Sequence, residues 1–128
     1  MMPKFRVWMK SLKCMCDVTN ISFDSKFVDI CQQGDTERYT EMSVEFDEIT
    51  LMQSTGLKDK NGKEIFEGDI LKSNKYTTSV FYERGAYRVK LRRTPNTTVT
   101  MDVIFFIQKY KTKIVGNIYD NPELLEDK

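Results

Sequence analysis

Three thiols, no imidazole and a cluster of lysines and arginines set the chemistry open to this chain. Cys14, Cys16 and Cys31 make an odd count without disulfide-like spacing, the usage expected of a chain kept in a reducing compartment. Cys14 and Cys16 are two residues apart, so on a strand they share a face. A structural zinc site takes about four ligands, usually Cys or His. With three cysteines and no histidine, one chain cannot complete a cysteine-only site, and all three read as free thiols. The missing histidine also removes Ser-His-Asp and Cys-His nucleophilic arrangements, which need an imidazole to take the proton. Carboxylates and lysines remain, but no spacing gathers them into a constellation. The expectation is a non-enzymatic protein with no catalytic, metal or cofactor-binding residues.

Two sharper motifs are tempting and incomplete. Asp59-Lys60-Asn61-Gly62-Lys63-Glu64 has the look of a calcium loop, yet its glycine is fourth rather than sixth and Ile70 stands where the twelfth-position glutamate belongs. Gly56, Gly62 and Gly68 recur every six residues, but no Lys-Ser/Thr follows as in a phosphate-binding P-loop. No helix is expected after them to aim its dipole at an anion. Both stretches read as tight turns, with Asp69 accepting backbone N–H groups at a bend.

Charge is segregated although the whole chain carries only +1. Residues 17–48 hold nine carboxylates against Lys26 and Arg38, a net of −7. Residues 68–116 hold ten cations against Asp69, Glu83 and Asp102, a net of +7. The second stretch supplies a candidate partner or nucleic-acid surface: Arg84, Tyr87, Arg88, Lys90, Arg92, Arg93, Lys109, Tyr110, Lys111 and Lys113. Cations there suit phosphates and aromatic rings suit bases. The alternative is that acidic and basic patches steer the protein onto a protein partner or a second copy of itself.

The elements that must position these residues read as strands almost throughout. Residues 4–10 alternate Phe5, Val7 and Met9 against Arg6 and Trp8, the period of a half-buried strand. Residues 27–31 form another, and 38–42 and 44–53 continue the sheet, with 45–49 open to a helical turn instead. Asn61-Gly62 is a hairpin signal between Leu57 and Ile65-Phe66. Beyond Gly68, short strands over 69–72, 78–83, 86–92, 99–107 and 113–119 are separated by turns at Arg84-Gly85 and Pro95-Asn96. Five short strands with tight turns suit a small closed barrel. Asn121, Pro122 and Glu123 then begin a short helix over 121–126, with Leu124-Leu125 packing inward.

A chain of 128 residues can bury a core without staples, and 40% hydrophobic content argues against disorder. Its longest apolar run, Val103-Ile104-Phe105-Phe106-Ile107, is of strand length, and the amino-terminal residues lack a signal-peptide core. The expected compartment is therefore the cytoplasm, without a membrane partner.

Three blocks stand out together: Phe5-Arg6-Val7-Trp8, the stretch from Leu51 through Gln53-Ser54-Thr55-Gly56-Leu57-Lys58-Asp59 to Gly68-Asp69-Ile70, and Val115-Gly116-Asn117-Ile118-Tyr119-Asp120-Asn121-Pro122-Glu123-Leu124-Leu125. In this order and spacing they resemble the YopX family of phage and prophage proteins, over nearly the whole chain. Residues 9–14 depart from the more acidic or polar run of that family. The resemblance implies an SH3-type barrel at the carboxyl end and an origin in a phage or an integrated prophage. It brings no site residues with it. The expectation is thus an all-β (mainly β) protein spanning 1–128 as one YopX-like domain, with a β-rich portion over 1–55, an SH3-like barrel over 66–119 and a short helix. Its expected role is that of a phage accessory protein working in the bacterial cytoplasm. It would bind a protein partner or self-assemble, with nucleic-acid binding by the basic face as the alternative.

Overall fold

Strand periodicity governs the first part of the chain. A computed structural model describes residues 4–125; residues 1–3 and 126–128, including the end of the expected 121–126 helix, lie outside the described residues. The chain divides into two compact units, Met1–Gln53 and Ser54–Lys128.

In the first unit β1 (Phe5–Met9), β2 (Cys14–Ser22), β3 (Phe27–Gln32), β4 (Met42–Glu45) and the start of β5 (Ile49–Lys58) form an antiparallel sheet ordered β4-β3-β2-β1-β5. The register sets Val7 opposite Cys16, Met9 opposite Cys14 and Val28 opposite Val44. Alternation then places Val7, Met9, Cys16, Val28, Ile30, Val44 and Ile49 in one core. The β1–β2 connection turns through Lys13 in the left-handed region (φ 51°), whose N–H donates to the Met9 carbonyl at 2.8 Å.

Two expectations need correction here. Residues 38–41 are a turn rather than strand, because the Asp35 carboxylate accepts both the N–H (2.7 Å) and the hydroxyl (2.6 Å) of Thr40 and folds the loop back. The expected strand over 44–53 is broken by a 3₁₀ turn at Phe46–Glu48, the helical alternative noted for that stretch. It lets the Phe46 N–H reach the Lys26 carbonyl at 3.0 Å while the ring packs on the core.

In the second unit the rest of β5 pairs with β6 (Glu64–Phe66), followed by β7 (Asp69–Lys72), β8 (Thr77–Ser79), β9 (Phe81–Glu83), β10 (Ala86–Thr94) and β11 (Thr97–Asp102). Helix α1 (Val103–Lys109), β12 (Lys113–Asn117) and a 3₁₀ turn at Pro122–Leu125 complete it. The all-β class holds. Among the described residues the barrel region forms two three-stranded antiparallel ladders, β11-β10-β9 and β12-β7-β8, rather than one ladder closed on itself. Between them the Thr78 hydroxyl of β8 donates to the Lys90 carbonyl of β10 at 2.8 Å.

The expected strand over 99–107 ends at Asp102, and its apolar run is α1. Val103 and Phe106, three apart, are buried in the core with Ile65, Leu71, Val80, Val89 and Leu91, while Ile104 and Phe105 face outward. A short continuous apolar run has no period with which to separate strand from helix. At the carboxyl end Leu124 and Leu125 are exposed rather than packed inward. Asn121 accepts the Leu124 N–H through its backbone carbonyl (3.1 Å), and its side-chain oxygen instead accepts the Asn117 N–H (3.3 Å). No helix among the described residues is long and apolar enough to cross a membrane, which says nothing of strands.

Two buried carboxylates hold the turns of this unit. Asp69, 2% exposed, accepts the Phe66 N–H at 2.8 Å across the Gly68 bend (φ 89°), where a side chain would be strained. Asp59 accepts the N–H groups of Asn61 and Lys63 on one oxygen and of Ile114 on the other, each at 2.9 Å. The Asp59–Glu64 stretch is therefore a turn whose acid points at its own backbone and at β12, not at a cation.

Candidate functional site

Lysines from five places in the second unit's chain meet in one cleft. Lys72 ends β7, Lys75 sits in the loop to β8, Lys109 and Lys111 flank the end of α1, Lys113 begins β12, and Lys60 lies in the β5–β6 turn. With Ser73, Asn74 and Tyr110 these six lysines line a cleft of about 680 Å³ that no carboxylate enters. Lys72 and Lys113 are direct cross-strand partners in the β7–β12 ladder. Like charges in that relation oppose folding, by a few tenths of a kcal/mol to about 1 kcal/mol. A sheet seldom keeps such a pair for stability's sake.

Hydrogen bonds and ring contacts hold the walls. Ser73 Oγ accepts the N–H groups of Lys75 (3.1 Å) and Tyr76 (2.9 Å), which shapes the β7–β8 loop. The Lys60 N–H donates to the Thr112 carbonyl at 2.9 Å, and Asp59 holds Ile114, so one buried acid anchors both sides of the cleft. Burial pushes the Asp59 carboxyl up, but the amides of Ile114, Lys63 and Asn61 outweigh it and hold the group below the usual carboxylate range. Tyr110 packs tilted on Phe106 (5.3 Å between centroids) and edge-on to Tyr76 (5.4 Å). Lys75 and Lys109 lie over the Tyr76 and Tyr110 rings at 5.5 and 5.7 Å.

A second groove, of about 830 Å³, shares Lys72 and Lys75 with the first and adds Tyr76, Lys90, Arg92 and Leu124, with one carboxylate, Glu123, in its lining. The two form one basic track within the unit.

The structure sorts the residues singled out from the sequence. Lys109, Tyr110, Lys111 and Lys113 line the cleft, and Lys90 and Arg92 line the adjoining groove. Arg84, Tyr87, Arg88 and Arg93 line neither. Arg88 stands opposite Asp102 in the β10–β11 ladder, its Nε 3.2 Å from the carboxylate, so a carboxylate lies beside its charge. Arg84 adopts a left-handed conformation (φ 51°) in the β9–β10 turn. Tyr87 packs edge-on to Tyr82 at 5.1 Å, and burial pushes its phenol up. Sequence reasoning missed Lys60, Ser73, Asn74 and Tyr76 and did not assign Lys72 or Lys75 to the site. Their only signal was position at strand ends and turns.

The cysteines lie in the first unit. Cys14 is half-buried, Cys16 and Cys31 are buried, and all three are free. Cys14 and Cys16 share a face with their sulfurs 3.7 Å apart. Burial, then the neighbouring Cys14, pushes the Cys16 thiol up to about 12. Among the described residues no three His, Cys, Asp or Glu side chains converge as a metal-binding group.

A model of the family described as YopX protein matches residues 4–126. The crystal structure of protein EF1440 from Enterococcus faecalis is 31% identical, covers 98% of this chain and 99% of its own, and superposes with a TM-score of 0.62. No curated protein matches the chain.

Proposed function

The chain belongs to the YopX family, and from that premise we propose that it binds nucleic acid, without catalysis, through the lysine cleft of its second unit. The observation that carries this reading is the cross-strand pair Lys72–Lys113 in a cleft lined by six lysines and no carboxylate. Such an arrangement is unfavourable to the isolated fold and favourable once a phosphate backbone lies over it. The adjoining groove, with Lys90 and Arg92, extends the same charge along a path longer than one phosphate. The cleft itself is lined by lysines and by no arginine, which suits backbone contact rather than sequence readout. The setting we propose is the cytoplasm of a bacterium, where the protein serves a phage or prophage as an accessory factor.

The test is binding of labelled single-stranded and duplex oligonucleotides, followed by fluorescence anisotropy across salt. Affinity that falls steeply with salt, and falls less steeply in a Lys72→Ala/Lys113→Ala variant, supports the reading. Absence of binding at low salt removes it. A protein partner is the second reading, favoured by Phe23 and Tyr39, which stand 64% and 86% exposed in the acidic stretch of the first unit. Under that reading light scattering would show self-association, or a partner would be captured by the first unit's surface, while oligonucleotides would not bind.

A further inference from the structure

We propose that Cys14, Cys16 and Met9 form a binding site for a soft monovalent cation of the Cu(I) class. Strand alternation turns Cys14 and Cys16 to one face of β2, and the register places Met9 directly opposite Cys14 on β1. Three sulfur side chains are thus adjacent on one face of the sheet. The two thiol sulfurs are 3.7 Å apart. With metal–sulfur bonds of about 2.3 Å, two sulfurs on a tetrahedral centre stand about 3.75 Å apart and on a linear one about 4.6 Å. The observed spacing, a thiol–thiol hydrogen bond between protonated sulfurs, already matches that of a bent chelate, which leaves coordination positions for further donors.

The surroundings fit those donors. A cavity of about 220 Å³ is bordered by Cys14, Cys16, Met9 and Met42, with Leu12 and Ile30 as apolar walls and no carboxylate. Thiolate and thioether sulfur select Cu(I), whereas carboxylate and carbonyl oxygen select hard cations. Zinc takes four Cys, His or carboxylate ligands, and the described residues bring no such set together. Cys31 also borders the cavity, but alternation turns it to the opposite face, beside Asp17, where its thiol donates to the Asp35 carbonyl at 3.6 Å. It is outside the ligand set. On binding, the two thiols lose their protons to water, two metal–sulfur bonds form, Met9 adds a neutral thioether, and the metal stays monovalent. No electron is transferred.

The experiment is anaerobic titration of the reduced full chain with Cu(I) against a chromogenic Cu(I) chelator. One equivalent should be withdrawn from the chelator. Cys14→Ser, at a half-buried position, should weaken retention by at least about 100-fold, the upper end of what losing a mere supporting partner costs a metal site. Met9→Leu, which conserves core volume, should weaken it less, and Cys31→Ser should leave it unchanged. The proposal is overturned if the wild-type chain withdraws no copper, if Cys14→Ser and Met9→Leu bind as tightly as wild type, or if Cys31→Ser weakens binding as much as Cys14→Ser.

Discussion

Replacing Asp59 by Asn changes one oxygen to an NH₂ group and tests what the buried carboxylate does. Asp59 is 7% exposed and accepts three backbone N–H groups, from Asn61, Lys63 and Ile114, each at 2.9 Å. An asparagine can keep its oxygen on the Asn61 and Lys63 amides, but its NH₂ then faces the Ile114 N–H, donor against donor. One charge-assisted bond is lost, at about 1.5–3 kcal/mol, and a buried donor is left unsatisfied, at about 1–3 kcal/mol. These terms overlap, and a net loss of about 3 kcal/mol is expected. For a unit of this size each kcal/mol moves Tm by about 4–8 °C, so the melt should fall by about 12–24 °C. Because the folded carboxyl titrates below its unfolded value, its contribution is fully present above the unfolded pKa and is lost as pH falls through the folded one. Calorimetric melts at stepped pH should therefore show a wide gap between wild type and Asp59→Asn at neutral pH that narrows in acid. A gap below about 1 kcal/mol at neutral pH, the net worth of an ordinary hydrogen bond, would refute the reasoning, as would a gap that ignores pH.

Other perturbations follow from the same geometry. A Cβ on Gly116 would lie 2.3 Å from Asn121 Oδ1, so Gly116→Ala should cost about 1–3 kcal/mol by overpacking; adding Asn121→Ala should recover part of it, and a strictly additive urea-unfolding result would contradict the clash. Thr112 is 2% exposed and its hydroxyl has no partner, so Thr112→Val, keeping the carbonyl that holds Lys60, should stabilise the fold by about 1 kcal/mol. A lower urea midpoint would contradict this. Lys72→Ala/Lys113→Ala should leave the thermal midpoint unchanged or raise it, since it relieves a like-charge cross-strand pair.

Legibility followed the range of the interaction. Alternating residues gave β1 directly, and the turns at Gly62, Gly68 and Arg84-Gly85 were readable because positive φ restricts residue choice. Val103–Ile107 was misread because an apolar run without period fits strand and helix alike. The site was half-readable for a similar reason. Lys109, Lys111 and Lys113 are neighbours in sequence, whereas Lys60 and Lys72 join them only through the β5–β6 turn and the β7–β12 register. Arg88 looked available until the register put Asp102 opposite it. Pairing across strands is set by tertiary structure, and no local pattern announces it.

The most direct measurement is the salt dependence of oligonucleotide affinity in the wild type, in Lys72→Ala/Lys113→Ala and in Arg84→Ala/Arg88→Ala. Each lysine that meets a phosphate contributes about 0.7–0.9 to the slope of log K against log salt. Loss of the two cleft lysines should therefore flatten the slope by about 1.4–1.8, while loss of the two arginines outside the cleft should leave it unchanged. Equal flattening by both variants, or no binding by the wild type at low salt, would contradict the account.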